Sequence, residues 1–486
     1  MATSLICETV TGRTMAELVA ARDAATAAHM VELRLDGVAG LDVRAALDGR
    51  RCPVVVTCRP EWEGGRFRGT EQERARVLAA ALDGGAEFVD VEWRAGFMDL
   101  IARAPERIVL SMHDFGGVPA DLDARVRAMR ATGAGTIKVA VATARLADTL
   151  ALLPIGRAGN AVVIGMGDAG VPTRLLASRF GSRWTYAGDG VAPGQMPGLR
   201  MRQEFRVDRL DATTAIYGVV STNALHSLSP VMHNAAFAAA GLNAVYVPLR
   251  AADFDDFLAF AAAIGIDGAS ITIPFKLDAL RAAATTDDLT RAVGAANTMR
   301  RQGSGWAATN TDVDGFLAPL EGVFPGSLRG ARASVLGAGG AARAVVVALQ
   351  ARGARVTVHS RRGEQAAELA ASLGSSAGPW PPDAGSWDLL VNATPLGGAN
   401  LRGASPLPGG RFDGRLVYDL TYGPGASRLL HEAAAAGCLT LDGLPMLIAQ
   451  AERQFEWWTG QRPAPAVMRH AACERLGIPE PAPHHV

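Results

Sequence analysis

About the first 190 positions of this 486-residue chain carry eight short β-branched runs, each followed by an alanine- and arginine-rich stretch with helical periodicity. The runs are Ser4 to Val10, Val31 to Leu35, Val54 to Arg59, Phe88 to Trp93, Ile108 to His113, Thr136 to Val141, Ala161 to Met166 and Trp184 to Ala187. Strands separated by helix-length segments cannot pair through tight hairpins. They need parallel pairing and right-handed crossovers, and eight such units close into a (β/α)8 barrel. We expect that barrel over residues 1–207.

Gln203 to Thr214 is polar and suits an exposed boundary. The strand rhythm restarts at Ile216-Tyr217-Gly218-Val219-Val220, and a third unit opens at Ala333-Ser334-Val335-Leu336-Gly337 and alternates to about Asp442. The segment Leu444 to Leu476 is helical in pattern and is expected to pack back across the middle unit. The reading is an α/β chain of three domains: 1–207, then 214–318 completed by 443–478, then 319–442. His484 and His485 read as surface tail rather than a metal site.

Forty-eight basic and 48 acidic residues cancel, so no global field marks nucleic acid or an anionic membrane as a partner. A hydrophobic content of 49% with 55 glycines suits an enzyme acting on small molecules. Cys7, Cys52, Cys58, Cys438 and Cys473 lack zinc-ligand spacing and read as free thiols of a reducing compartment. No apolar segment is long enough to span a bilayer, so a cytoplasmic protein without a metal is expected.

Strand alternation puts Glu32 with Arg34, Thr57 with Arg59, Asp90 with Glu92 and Ser111 with His113 on common faces. Barrel interiors are ordinarily apolar, and charges converging there cost desolvation free energy unless they pair around a ligand. Structural ion pairs are the alternative. Lys138 interrupts the apolar strand Thr136 to Val141, where burial would expose a neutral amine able to condense with a ketone. A plain ion pair with Glu92 or Glu32 is its other reading. His113 adds a proton carrier suited to neutral pH. Together these residues describe Schiff-base chemistry with proton abstraction beside a carbonyl.

Ordered motifs in this half resemble the type I 3-dehydroquinate dehydratases. They are Glu32-Leu33-Arg34-Leu35-Asp36, Arg59 to Gly65, Ser111-Met112-His113-Asp114-Phe115, Ile137-Lys138-Val139, Met166-Gly167 through Arg174, and Ala192-Pro193-Gly194-Gln195. The resemblance implies that Lys138 forms an imine with the C3 ketone of dehydroquinate and that His113 acts as base and acid, oriented or assisted by Glu63. It also implies that Glu32, Arg34, Arg59, Arg174 and Gln195 hold the hydroxyls and carboxylate, the last from a closing lid. Val191 stands where the family usually has a small or hydroxyl residue.

In the second half Gly337-Ala338-Gly339-Gly340-Ala341-Ala342 follows a strand and opens a helix, a context in which glycines let the backbone approach a pyrophosphate. About 20 residues on, where an NAD-binding protein places an acid, stand Ser360-Arg361-Arg362, so NADP is the expected cofactor. Lys276 and Asp312 form a candidate proton-transfer pair, with a surface salt bridge as the alternative. From about Ile216 to Leu476 the chain resembles the shikimate dehydrogenases, through His226 to Pro230, Thr272 to Lys276, Asn297-Thr298, Asn310-Thr311-Asp312, Asn392 to Pro395, Tyr418 to Tyr422, and Met446-Leu447 with Gln450. By that resemblance Lys276 and Asp312 act on the reacting oxygen, and Ser227, Ser229, Ser270, Thr272, Asn297, Tyr422 and Gln450 hold substrate. The cofactor set is Gly337, Ala338, Gly339, Gly340, Ala341, Ser360, Arg361, Arg362, Thr394 and Met446. Ser270 replaces a common asparagine and Pro445 a common glycine.

The two halves make consecutive chemical sense, because dehydrating 3-dehydroquinate gives 3-dehydroshikimate, which the second half would reduce to shikimate with NADPH. A quinate-oxidising second half and a non-catalytic sensor are the competing readings; the four residues Lys138, His113, Lys276 and Asp312 speak against the sensor.

Overall fold

In the computed structural model, which describes residues 4–190, 193–398 and 401–480, the eight β-branched runs are eight parallel strands. They are β1 (Leu5–Val10), β2 (Met30–Arg34), β3 (Val54–Thr57), β4 (Phe88–Glu92), β5 (Ile108–Asp114), β6 (Thr136–Ala142), β7 (Ala161–Met166) and β8 (Trp184–Ala187). The sheet order β7-β6-β5-β4-β3-β2-β1-β8 is a barrel's, and just ahead of β8 the Arg183 N–H donates to the Ala161 carbonyl of β7 at 2.9 Å across the remaining seam. Val191, Ala192, His484 and His485 lie outside the described residues.

The interior has two zones, which follow from period two in parallel register. Near the strand starts Cys7, Met30, Val55, Val109, Val162 and Trp184 form an apolar plug, packed against Phe88. One or two steps further along the same faces come Thr9, Glu32, Thr57, Asp90, Ser111 and Lys138, with Glu32 beside Val55, Thr57 beside Asp90 and Ser111 beside Lys138 in register. The apolar layer closes the barrel floor, and the charges gather at the carboxyl ends of the strands, where barrel enzymes keep their sites.

By its contacts the chain forms two compact units. The first holds Met1–Ile216, Asn223–Leu225 and Asn243–Gly265, and the second holds Tyr217–Thr222, His226–Leu242 and Ile266–Val486. The segment Asn243–Gly265, with β10 (Ala244–Arg250) and the helix Phe254–Ile264, thus groups with the barrel rather than with the middle domain read from sequence. In the second unit β9 (Ala215–Ser221) lies parallel to β11 (Gly268–Ile271), with Val220 beside Ile271. Beyond β11 come β13 (Thr298–Gln302), β14 (Gly305–Thr309) and the short β12 (Thr285–Thr286).

A six-stranded parallel sheet completes that unit, in the order β17-β16-β15-β18-β19-β20. Its strands are β15 (Arg332–Leu336), β16 (Arg355–His359), β17 (Ser376–Ala377), β18 (Leu389–Asn392), β19 (Leu416–Asp419) and β20 (Leu439–Leu441). The order reverses direction between β15 and β18, the kind of switch point at which open α/β sheets bind ligands. The carboxyl-terminal segment is two helices, Leu444–Thr459 and Val467–Leu476; the first packs on the helix Asp312–Val323, the second on Ser229–Ala239. Pro445 sits in the first turn of its helix, where a missing N–H removes no helical bond.

Candidate active sites

In the barrel, Lys138 is 4% exposed and its Nζ donates to Asp90 Oδ2 at 3.0 Å and to Glu32 Oε1 at 3.4 Å, with the Tyr186 ring centroid 4.1 Å away. The apolar surroundings expected from its own strand are therefore not what it meets. Ile137 and Val139 face the other side of the sheet, and the interior neighbours of Lys138 come from other strands. The amine is held as a paired charge, and its partners are Asp90 and Glu32, not Glu92. Burial alone would raise the carboxyl pKa of Asp90, but Arg59 and Lys138 outweigh it and hold it below the ordinary range. The same contest lowers Glu32, where Lys138 and Arg34 win over desolvation.

Glu92 belongs to a second layer. Arg59 Nη1 lies 2.9 Å from Glu92 Oε1 and Arg59 Nη2 3.1 Å from Asp90 Oδ1, while Ser111 accepts from Arg59 at 2.8 Å and donates to Asp90 at 2.6 Å. Behind Glu92 stands Arg74, fully buried on the helix Glu71–Asp83 and hydrogen-bonded to Glu92. Two cations on one carboxylate fix the Arg59 fork from behind.

His113 closes the site. Glu63, delivered by the turn Glu61–Glu63 after β3, places Oε1 3.0 Å from His113 Nδ1 and accepts the His113 backbone N–H at 3.0 Å. Burial, reinforced by Arg59 and Lys138, holds the imidazole pKa well below its usual value, so the ring is neutral and competent as a base. Burial lifts the Glu63 carboxyl to about 7, against the pull of Arg59.

Arg174, 2% exposed on the helix Val171–Leu175, differs from the other buried arginines. Arg22, Arg59 and Arg74 each meet a carboxylate; among the described residues Arg174 reaches only the carbonyls of Tyr186 and Pro193, at 3.3 and 3.4 Å, and its Nε has no partner. Desolvation brings its pKa down to about 10. A buried guanidinium left open in this way is chemically suited to a carboxylate. Arg34 is instead clamped bidentately by Asp36, at 2.8 and 2.9 Å, and Gln195 reaches back to Thr9 at 3.4 Å.

In the second unit Lys276 opens the helix Lys276–Ala282 and its Nζ is hydrogen-bonded to Asp312 Oδ2. Asn297 donates to the other Asp312 oxygen at 2.8 Å and to Thr311 at 2.9 Å, and Gln450 faces Asn297 at 3.4 Å. Because β9 and β11 run side by side, their carboxyl ends bring the Ser227 and Ser229 turn and the Thr272 turn to one edge of the sheet. Ser227 caps the Ser229 N–H at 3.1 Å. Ser270 is committed inward, donating to Gln454 Oε1 at 2.7 Å, and Gln454 in turn donates to Thr298 at 3.0 Å. Tyr422 is half-buried past β19, its hydroxyl pKa raised by burial, and among the described residues it makes no hydrogen bond to the Lys276 cluster.

A cavity of about 650 Å³ runs from Lys276 along Gly337, Ala338, Gly339 and Gly340 to Ser360, Arg361, Arg362 and Thr394, with Trp380 on its wall. Gly340 touches the Lys276 side chain, where an added Cβ would lie 3.0 Å from Cδ, and Gly337 holds a φ of 111° that a side chain would strain. The helix Gly340–Ala351 has no side-chain cap, so its first N–H groups point free into the turn. With two guanidinium groups at the far end, the residues fit a dinucleotide carrying an extra phosphate. Ala341 does not line the cavity, and Met446 is packed in the hydrophobic core beside Tyr418.

Sequence reasoning gave no role to Arg74, Tyr186, Trp380 or Gln454; it placed Asp90 on a polar strand face without naming its partner and offered Glu92 only as an ion-pair partner of Lys138. It also passed over one count: of the 48 residues that are lysine or arginine, only Lys138 and Lys276 are lysines. A chain that uses arginine everywhere else keeps an amine at these two positions, and an amine, unlike a guanidinium, can be deprotonated.

A barrel whose mouth pairs a buried lysine with a neutral histidine, on one chain with a lysine–aspartate dyad beside a dinucleotide cavity, defines a two-site enzyme of carbonyl chemistry. Residues 6–211 match the family model of type I 3-dehydroquinase, 219–299 that of the shikimate dehydrogenase substrate binding domain, and 443–473 that of the shikimate 5'-dehydrogenase C-terminal domain. The bifunctional 3-dehydroquinate dehydratase/shikimate dehydrogenase, chloroplastic, of Arabidopsis thaliana is 31% identical over 502 residues, covering 95% of this chain and 83% of the relative. The shikimate dehydrogenase (NADP(+)) of Salinibacter ruber is 41% identical, over 51% of this chain and 94% of its own. The crystal structure of shikimate dehydrogenase from Aquifex aeolicus superposes with a TM-score of 0.50 at 31% identity, over 54% of this chain and 98% of that one. This chain belongs to the family of bifunctional 3-dehydroquinate dehydratase/shikimate dehydrogenases.

Proposed function

We propose that the chain dehydrates 3-dehydroquinate to 3-dehydroshikimate in the barrel and reduces that product to shikimate with NADPH in the second unit. The observation that carries the first step is the Lys138 amine between Asp90 and Glu32, facing a mouth that holds His113 and the open guanidinium of Arg174. Before it attacks, the ammonium gives up its proton, and the two carboxylates in contact are the acceptors. The amine then adds to the C3 ketone and water leaves, forming the imine. His113, its Nδ1 held by Glu63, removes the C2 proton through the free nitrogen, and the electron pair delocalises into the imine as an enamine. The enamine expels the C1 hydroxyl, which takes a proton from His113 and departs as water; hydrolysis of the imine frees the enone and Lys138. Arg174, Gln195, Arg34 and Arg59 bind the carboxylate and hydroxyls around this step.

For the reduction, NADPH when bound supplies the hydride. Lys276 donates its proton to the carbonyl oxygen as negative charge develops there, Asp312 holds the ammonium in place, and Asn297 fixes Asp312. Ser227, Ser229, Thr272, Tyr422 and Gln450 hold the carboxylate and hydroxyls of the ring. Arg361 and Arg362 take the 2′-phosphate, and the glycine turn takes the pyrophosphate. Quinate oxidation is not favoured, since curated relatives of the second half, that of Salinibacter ruber among them, are shikimate dehydrogenases. Five unpaired cysteines accord with work in the cytoplasm. Among the described residues, no helix is long and apolar enough to cross a membrane.

The test supplies 3-dehydroquinate with NADPH and follows the enone absorbance and NADPH oxidation together. We expect enone to appear first and NADPH to be consumed as it disappears. Dehydroquinate left unchanged refutes the barrel assignment; enone that accumulates without NADPH oxidation refutes the second.

A further inference from the structure

The loop that follows the Lys138 strand is held by a carboxylate from a distant part of the sequence. Asp256 lies on the helix Phe254–Ile264, beyond the barrel's own residues, and its side chain is fully buried. It accepts the Leu146 N–H at 3.0 Å, the Ala147 N–H at 2.8 Å and the Ala252 N–H at 2.9 Å. Around it, Arg145 pairs with Asp253 at 2.8 Å, and Arg250 donates to the Ala144 carbonyl at 2.7 Å. The two preceding amides, of Ala144 and Arg145, are taken by Asp148 at 2.9 Å each. Four successive N–H groups thus converge on two carboxylates, and only Asp148 belongs to the loop itself. Such a run of amides, left unpaired and buried, is costly, so without Asp256 the loop would have to rearrange.

The loop in turn forms a wall of the barrel mouth. Thr143 donates both its N–H and its Oγ1 to the Met166 carbonyl, at 3.0 and 2.9 Å. Met166 is followed by Gly167, whose N–H lies 3.4 Å from the Pro193 carbonyl, and a Cβ on Gly194 would come within 2.7 Å of the Gly167 carbonyl. Arg174, the open guanidinium, also reaches the Pro193 carbonyl. A continuous stack therefore runs from Asp256 through Thr143 and Met166 to the Pro193–Gln195 segment and Arg174.

We propose that Asp256, which lies in the dehydrogenase part of the sequence, is a positioning residue for the dehydratase: it fixes the loop after the Lys138 strand and so sets the wall on which the substrate-holding segment Pro193–Gln195 and Arg174 rest. It touches no substrate. Its influence falls on how dehydroquinate is gripped rather than on imine chemistry, because Lys138, Asp90, Glu32 and His113 are anchored through other strands. This rests on the dehydratase reading given above.

The experiment measures KM and kcat for dehydroquinate in the full-length protein and in Asp256→Ala, Asp256→Asn and Thr143→Val, with NADP-dependent shikimate oxidation as an internal check of folding. Asp256→Ala should raise KM by ~10-fold or more, with kcat changed by less than about 3-fold and shikimate oxidation retained, since lost bonds to a carboxylate are worth one to two factors of ten. Asp256→Asn, which keeps one acceptor oxygen, should fall between. Thr143→Val removes the next link and should give a smaller rise of the same kind, a measurement that stands even where Asp256→Ala does not fold. An unchanged KM in folded Asp256→Ala or in Thr143→Val overturns the proposal, as does a fall in kcat alone. Absence of dehydratase turnover in the unmodified protein would instead overturn the function on which it rests.

Discussion

Lys138 and Lys276 are the two lysines of the chain, and their surroundings prepare them for different work. Lys138 projects from a strand into a closed ring of strands, between two carboxylates and against an aromatic face. Lys276 stands at the start of a helix, pairs with one carboxylate and lines an open cavity. In the proposed reactions the first has two acceptors for the proton it must lose to become a nucleophile, and the second keeps its proton until a neighbouring oxygen needs it. Burial between two carboxylates and an aromatic face therefore accompanies the proposed covalent role, and a single partner beside a cavity accompanies the proposed proton donation.

Breaking that comparison is straightforward because each lysine has only one rival. Lys138→Ala should lower dehydratase kcat on the order of 10⁴-fold or more while leaving shikimate oxidation intact. Borohydride added with dehydroquinate should reduce an adduct onto Lys138, located by peptide mass. Lys276→Ala should leave the adduct in place and lower the reductase by roughly 10²- to 10⁴-fold, the usual range for a lost general acid. An adduct found on Lys276 would invert the two roles.

Titration sharpens the same contrast. Glu63 must be ionised to accept the His113 Nδ1 proton, and burial lifts its carboxyl to about 7. A raised carboxyl pKa means that the ionised form is present above that value and is lost as pH falls through it. Dehydratase kcat/KM should therefore decline below about pH 7, whereas His113 itself, held well below its ordinary value, stays neutral through that limb. Glu63→Gln should flatten the limb and lower the plateau by roughly 10- to 10²-fold. A limb that survives Glu63→Gln would assign the titration elsewhere.

The strands of the barrel were legible to within one or two residues, because β-branched runs and alternation are local signals. So was the inward parity of Glu32, Asp90, Glu92 and His113. What surrounds Lys138 was misread for a physical reason: a strand's sequence neighbours face the opposite side, and the true neighbours come from β2, β4 and β8. Arg74 carried no signal, since an arginine on an amphipathic helix reads as solvent-facing until a buried Glu92 is found against it. Ser270 was read as holding substrate, and its hydrogen bond to Gln454, 184 positions away, carried no signal in the sequence. The packing of Asn243–Gly265 with the barrel was hidden likewise, resting on Asp256, whose acceptor role no spacing rule predicts.

Salt separates the two sites most gently. In the barrel the proposed receptor for the substrate carboxylate is Arg174, buried to 2% exposure, and screening by mobile ions hardly reaches such a charge. At the other site Arg361 and Arg362 are exposed at the mouth of the cavity, where the proposed ion pairing with a 2′-phosphate would be weak and screened. Raising salt from about 0.05 to 0.5 M shortens the screening length to a few ångström and should weaken NADPH binding several-fold, with little change in KM for dehydroquinate. Replacing both arginines by alanine should raise the Kd for NADPH by ~10-fold, with a much smaller change for NADH, and should remove most of the salt effect. Equal losses for the two nucleotides would mean that the arginines shape the turn rather than read the phosphate, and a salt-sensitive dehydroquinate KM would show that Arg174 opens to solvent before its ligand arrives.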